Sequence, residues 1–152
     1  MFKKIVATAT ALCIASGCGI SVNAAGNITE QASSSTSVYS LGLISSGLVS
    51  ISNSGNDLYL SGFTNCSNVM KKVGIIDIRI QQSSNNSDWS NYSSYDDMVK
   101  ENSAYFSCSN AYIGTVQGGY YYRVVCKHYA KESGLFGRTE KDEGISYSIY
   151  VP

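Results

Sequence analysis

The sequence predicts an all-β fold, an antiparallel β-sandwich of about seven to nine short strands with at most one short helix. Three observations carry this. From Val38 onward, short apolar stretches alternate with Ser, Asn and Gly clusters, the pattern of strands separated by turns. Tyrosine, a strand-favouring residue, occurs 12 times, and Pro152 is the single proline. Period-two alternation is strongest at 73–82, 119–129 and 144–151, where each segment presents one apolar face.

The elements follow in chain order. Residues 1–24 read as a secretory signal peptide: Lys3 and Lys4, an apolar run from Ile5 to Ile20, then small residues ending Val22-Asn23-Ala24. A rival reading takes "ASGC", Ala15 to Cys18, as a lipobox that would leave the protein lipid-anchored through Cys18. Residues 25–37 are polar and serine-rich with no apolar period, a flexible leader ahead of a sandwich domain at 38–152. Strands are expected at 38–44, 48–52, 57–65, 73–82, 88–94, 103–109, 112–116, 119–129 and 144–151. "SYDDMVKEN", 94–102, has Ser94 as an N-cap and Asp96 and Asp97 in a first turn, so it is the place for the one short helix. "ESGLFGRTEKDEG" reads as a long turn before the last strand.

Alternation assigns faces. Ile76, Ile78 and Ile80 point one way, Asp77, Arg79 and Gln81 the other. Tyr120, Tyr122, Val124, Cys126 and His128 share one face of their strand. Ile145, Tyr147, Ile149 and Val151 share one face of the last. Two sheets packed about 10 Å apart would bury these three faces together.

Charge excludes some partners. Loss of residues 1–24 removes Lys3 and Lys4 from the 11 basic residues and none of the 11 acidic ones, leaving a net charge of −2. Such a balance provides no basic field for nucleic acid and no polybasic membrane patch, and no membrane span is expected in the exported chain. The exported chain keeps Cys66, Cys108 and Cys126, so parity leaves one thiol free and able to link two copies.

The residue types that carry chemistry are few. Cys126 and His128, two apart on a strand, have Cα atoms about 6.5 Å apart, too far for a thiolate–imidazole pair without a third orienting group. With Cys108 they lack the paired short spacings of a zinc site. The favoured reading is a core cysteine in a disulfide and a strand-end histidine half in water. Asp96 with Asp97, and Glu140, Asp142 and Glu143, form no calcium loop and read as solvated turns. No cofactor or metal is implied. Tyr92, Tyr95, Tyr121, Tyr129 and Tyr150 fall on faces expected to be exposed, where an aromatic ring with a hydroxyl suits sugars or protein surfaces.

"GGYYYRVVCKHY", 118–129, resembles the F strand of immunoglobulin-like and fibronectin type III sandwiches, with a Gly-led turn before tyrosine and alternating apolar residues. Together with "IRIQQSSNNSDWSNYSSY" and the final "SYSIYV", it is similar to a family of small secreted proteins of Gram-positive bacteria. That resemblance implies a sandwich and no mechanism. The immunoglobulin analogy further implies a Cys66–Cys126 bridge across the sheets, with Cys108–Cys126 as the alternative. The chain departs from it at Val124, where the family has tyrosine.

The expectation is a secreted, non-enzymatic sandwich acting through its surface on an extracellular protein or glycan. A small antibacterial or toxin-like factor and a hydrolase without a recognisable motif are the alternatives.

Overall fold

The computed structural model describes residues 42–152. The signal peptide, the Cys18 lipobox, the leader at 25–37 and residues 38–41 of the first expected strand lie outside the described residues. Among the described residues the fold is all-β, with seven antiparallel strands and no helix. They are β1 (Ile44–Ser54), β2 (Asp57–Ser83), β3 (Ser90–Tyr95), β4 (Met98–Thr115), β5 (Tyr120–Lys131), β6 (Thr139–Ile145) and β7 (Ile149–Val151). No helix among them is long and apolar enough to cross a membrane.

The layers come from one bent sheet. The strands expected at 57–65 and 73–82 are a single 27-residue strand, β2. Fully extended, 27 residues would reach roughly 90 Å, far beyond a domain of this size, so β2 has to bend. Its pairing with β4 shifts between Asn65 and Met70. Past the bend the chain returns on itself: the Thr64 hydroxyl donates to the carbonyl of Gly74 at 2.8 Å. The first half of β2 pairs with β1 on one edge and β4 on the other, whereas the second half pairs with β5 and, opposite, with the start of β4 and then β3. Val49, Ile51, Leu58 and Leu60 from the first half and its neighbour meet Ile75, Ile78, Ile80, Tyr122 and Val124 from the second in one buried cluster. A smaller cluster of Ile44, Cys66, Met70, Val73 and Ala130 lies near the bend.

Alternation in β5 follows the sequence in part: Tyr122, Val124, Cys126 and His128 are buried and Arg123, Lys127 and Tyr129 half-buried, but Val125, expected on the wetter face with the latter, is buried too, opposite Arg79 and Ile145. In β2 alternation breaks at Asp77, which adopts φ +53°, the left-handed region. There Ile76 and Arg79 stand opposite Lys127 and Val125, so β2 carries one extra residue, a β-bulge. Beyond it every side chain changes face. Ile75 therefore joins Ile78 and Ile80 in the core, and Ile76, expected beside them, belongs to neither apolar cluster.

Other expectations are corrected. The strands at 103–109 and 112–116 are one strand, β4. Residues 94–102 contain no helical turn: Asp96 and Asp97 join β3 to β4, and the Asp97 carboxylate accepts the Asp77 backbone N–H at 2.8 Å instead of capping a helix. The segment 139–143 is strand β6, not turn, and the run at 144–151 is interrupted after Ile145. At that break Ser146 exchanges bonds with the Val124 backbone, its N–H donating to the carbonyl and its hydroxyl accepting the N–H, both at 2.9 Å. Tyr147 is left exposed, and Ile145, opposite Val125, is half-buried and in neither apolar cluster, so of the row expected at 145, 147, 149 and 151 only Ile149 and Val151 reach the core.

The terminal strands of the path β1-β2-β5-β6 meet across a seam. The Leu43 N–H donates to Glu140 Oε2 there, so β6 ties to the chain entering β1. His128 closes the same region from inside. A Cβ placed on Gly47 of β1 would lie 2.6 Å from its Cγ, and one on Gly144 of β6 would lie 2.8 Å from its Nε2. No side chain larger than hydrogen fits at either position, so these two glycines create the slot that the ring fills.

Candidate binding face around the Asp77 bulge

The Cys126–His128 pair is chemically quiet. His128 is 1% exposed, not half in water. Thr64 has one hydroxyl proton and spends it on the Gly74 carbonyl, so at 2.8 Å it accepts from His128 Nδ1–H. Nε2 is then the unprotonated nitrogen, buried and unpartnered. Burial pushes the imidazole pKa down to about 4. Burial, with lesser contributions from Cys108 and Glu143, pushes the Cys126 thiol up to about 12. Both groups are neutral at pH 7, the reverse of an activated thiolate–imidazolium pair.

Cys66, Cys108 and Cys126 are all free thiols. Cys126 belongs to the main core and Cys66 to the cluster near the bend, so the bridge implied by the immunoglobulin analogy is not formed. Burial, then the charge of Glu140, pushes the Cys66 thiol up to about 11.

The carboxylates of β6 are not uniformly solvated either. Asp142 stands opposite His128 in the ladder, which puts both side chains on the inner face. Burial, followed by the charge and hydrogen bond of Glu140, raises its pKa above the ordinary carboxyl value. Glu143, opposite Lys127, faces outward and is exposed.

The outer surface has a different character. An open depression of about 480 Å³ sits at the bulge, lined by Asp77, Arg79, Ser94, Tyr95, Asp97 and Lys127 among others. The bulge builds it. In a regular strand Asp77 would point straight out beside its neighbours; with φ +53° its N–H turns to Asp97 and its carboxylate meets Lys127 Nζ at 2.7 Å. The hydrogen bond from Lys127 holds the Asp77 carboxyl below its ordinary pKa, helped by the charges of Lys127, Lys141 and Arg79. Arg79 presents a buried Nε with no hydrogen-bond partner.

Farther along the same face, the Arg123 guanidinium lies 4.3 Å over the Trp89 ring, while its Nε–H donates to Gln81 Oε1 at 2.8 Å. Gln81 Nε2 donates in turn to Asn91 Oδ1 at 3.1 Å. This chain of contacts holds an aromatic ring and an amide row rigid beside the depression.

The five tyrosines singled out by sequence are scattered. Tyr95 lines the depression. Tyr121 and Tyr150 pair with ring centroids 5.1 Å apart, at the end of β5 that meets β7. Tyr92 stands edge-on to the buried Tyr122 at 5.6 Å. Tyr129 lies toward the other end of β5, opposite Gly74 and Lys141. The residues that sequence reasoning missed are Asp77, Arg79, Asp97 and Lys127. Alternation places the first two on an outward face, but nothing local in "IIDIRI" announces a left-handed aspartate.

No protein-family model, curated protein or solved structure matches this chain.

Proposed function

We propose that this is a secreted, non-enzymatic binding protein whose outer face around the Asp77 bulge takes an extracellular glycan. The observation that supports the reading best is the depression itself. Carboxylates from Asp77 and Asp97, cations from Arg79 and Lys127, and the Tyr95 ring converge there on a backbone held in a sparsely populated conformation. Sugars present a dense array of hydroxyls around an apolar ring face. Carboxylates accept from those hydroxyls, a guanidinium and an ammonium donate to them, and a tyrosine ring covers the C–H face. The Lys127 hydrogen bond keeps Asp77 ionised, so its carboxylate is available as an acceptor for sugar hydroxyls.

A glycan array probed with the purified exported chain tests this. Wild type is expected to select a restricted set of glycans, with Tyr95→Ala and Asp97→Asn each weakening binding about tenfold or more in titration, as loss of a stacking ring or charged hydrogen bond does. An empty array, or binding that both variants leave unchanged, would refute the reading.

A further inference from the structure

The β5–β6 hairpin ends in Leu135 and Phe136, each 92% exposed. Two adjacent large apolar side chains in that position are costly to leave in water, and the loop does not let them fold away. Arg138 grips the Glu132 carboxylate with Nε at 3.1 Å and Nη2 at 2.8 Å, and the Glu132 N–H donates to the Arg138 carbonyl at 2.9 Å. The Gly137 N–H closes the turn on the Gly134 carbonyl, with Gly134 at φ +97°. The hairpin is thus a short stiff post carrying Leu135 and Phe136 on its tip.

Cations surround its base. Lys131 is the ladder partner of Lys72, so moving outward from that pair β2 runs through Lys71 toward Val69 while β5 runs into the hairpin. Val69, at the β2 bend, is itself 69% exposed. Glu132 is matched by Arg138 and Glu101 by Lys72, whereas Lys71 and Lys131 make no ion pair among the described residues. This end of the sheet is therefore apolar at its tip and cationic below it, even though the chain as a whole carries no basic excess.

We infer that the Leu135–Phe136 tip is a membrane-docking device that inserts into the interface of a bilayer containing anionic lipid. The apolar pair enters the boundary between headgroups and acyl chains, and Lys71 and Lys131 face the anionic headgroups around it. Charge complementarity selects this occupant. The patch is a projection with a cationic collar, the shape and sign that fit a soft anionic surface. The device is independent of the glycan reading, because its residues lie outside the Asp77 depression.

Co-sedimentation of the exported chain with vesicles of phosphatidylglycerol, against vesicles of phosphatidylcholine, tests it. Wild type is expected to pellet with the anionic vesicles and much less with the zwitterionic ones. Leu135→Ser with Phe136→Ser should weaken binding by about tenfold or more, and Lys71→Gln with Lys131→Gln by up to about thirtyfold, the effect of two juxtamembrane cations. Added salt should weaken binding of wild type and of the serine variant but matter less to the glutamine variant. Leu135, Phe136 and Lys71 are exposed and Lys131 is half-buried, so thermal melts of the variants should match wild type and a loss of binding reads as loss of docking. Failure of wild type to bind anionic vesicles, or equal binding by the serine variant, would overturn the inference. Equal binding by the glutamine variant would overturn its anionic component.

Discussion

His128 and Asp77 are both departures from the regular strand, on opposite faces of the same sheet, and they are accommodated in opposite ways. His128 is a polar ring in the core, and its surroundings have been cut to fit: Gly47 and Gly144 leave the slot, and Thr64 turns its oxygen toward Nδ1. Asp77 is an aspartate in a backbone conformation suited to glycine, at the surface, with two partners that hold it there. A buried exception needs a slot cut to its shape and a partner wherever one can reach, because an unpaired polar atom such as His128 Nε2 costs free energy. An exposed one can leave groups open to solvent and hence to a ligand. His128 thus serves the fold, whereas Asp77 leaves polar groups facing outward.

The largest expected effect is on the buried side. In the unfolded chain the His128 imidazole titrates near 6.5, and in the fold at about 4. Between those values the unfolded chain holds the extra proton. Stability from this group is therefore full above pH 6.5 and falls as the pH drops toward 4, by about 3 kcal/mol at 1.36 kcal/mol per pH unit. Asp142, whose carboxyl is raised in the fold above its unfolded value of 3.8, contributes with the opposite sign, its share of stability growing as the pH falls through that raised value. Urea unfolding of wild type and His128→Phe between pH 4 and 7 isolates the histidine: the phenylalanine variant should lose most of this dependence, and parallel curves would contradict the account.

Next come the glycines of the slot. Gly144→Ala places a methyl 2.8 Å from His128 Nε2 and 3.2 Å from Cys126 Sγ. Such overpacking costs about 1–3 kcal/mol, read as a lower thermal midpoint. Gly47→Ala should cost a similar amount, and combining either with His128→Ala should recover part of the loss by vacating the space. If Gly144→Ala is as stable as wild type, the slot is looser than described.

The smallest expected effect on stability is at the bulge. Asp77→Gly relieves the left-handed backbone but loses the exposed contact to Lys127, two small effects of opposite sign, so the thermal midpoint should stay close to that of wild type. Glycan binding should nevertheless be lost. A variant that unfolds would assign Asp77 to the fold and erase the contrast with His128.

Much of the fold is legible along the chain. The apolar alternation of 119–129 fixes which face of β5 is buried, because side chains on a strand alternate whatever the strand pairs with. The placement of "IIDIRI" in a half-buried strand is equally plain, but the phase of its isoleucines is not. Phase depends on the bulge, and the bulge exists because Asp97 and Lys127, distant in the chain, arrive beside Asp77. "TEKDEG" has the composition of a turn and becomes β6 because the edge of β5 offers it a ladder. Tyr95 was visible as an exposed aromatic; the four charged residues that share its depression were not, since each is ordinary by itself.

Composition, the scarcity of proline and two-residue periodicity determined by themselves that this chain forms an antiparallel all-β structure with Tyr122, Val124 and Cys126 inside. Those are local properties, set by strand geometry and by how each side chain partitions from water. The tertiary structure alone decided that β2 bends to supply both layers, that His128 is enclosed between two glycines, and that Asp77 opens a depression on the outer face. Each of these rests on groups brought together from far apart in sequence, and their energies depend on distances that no local pattern encodes.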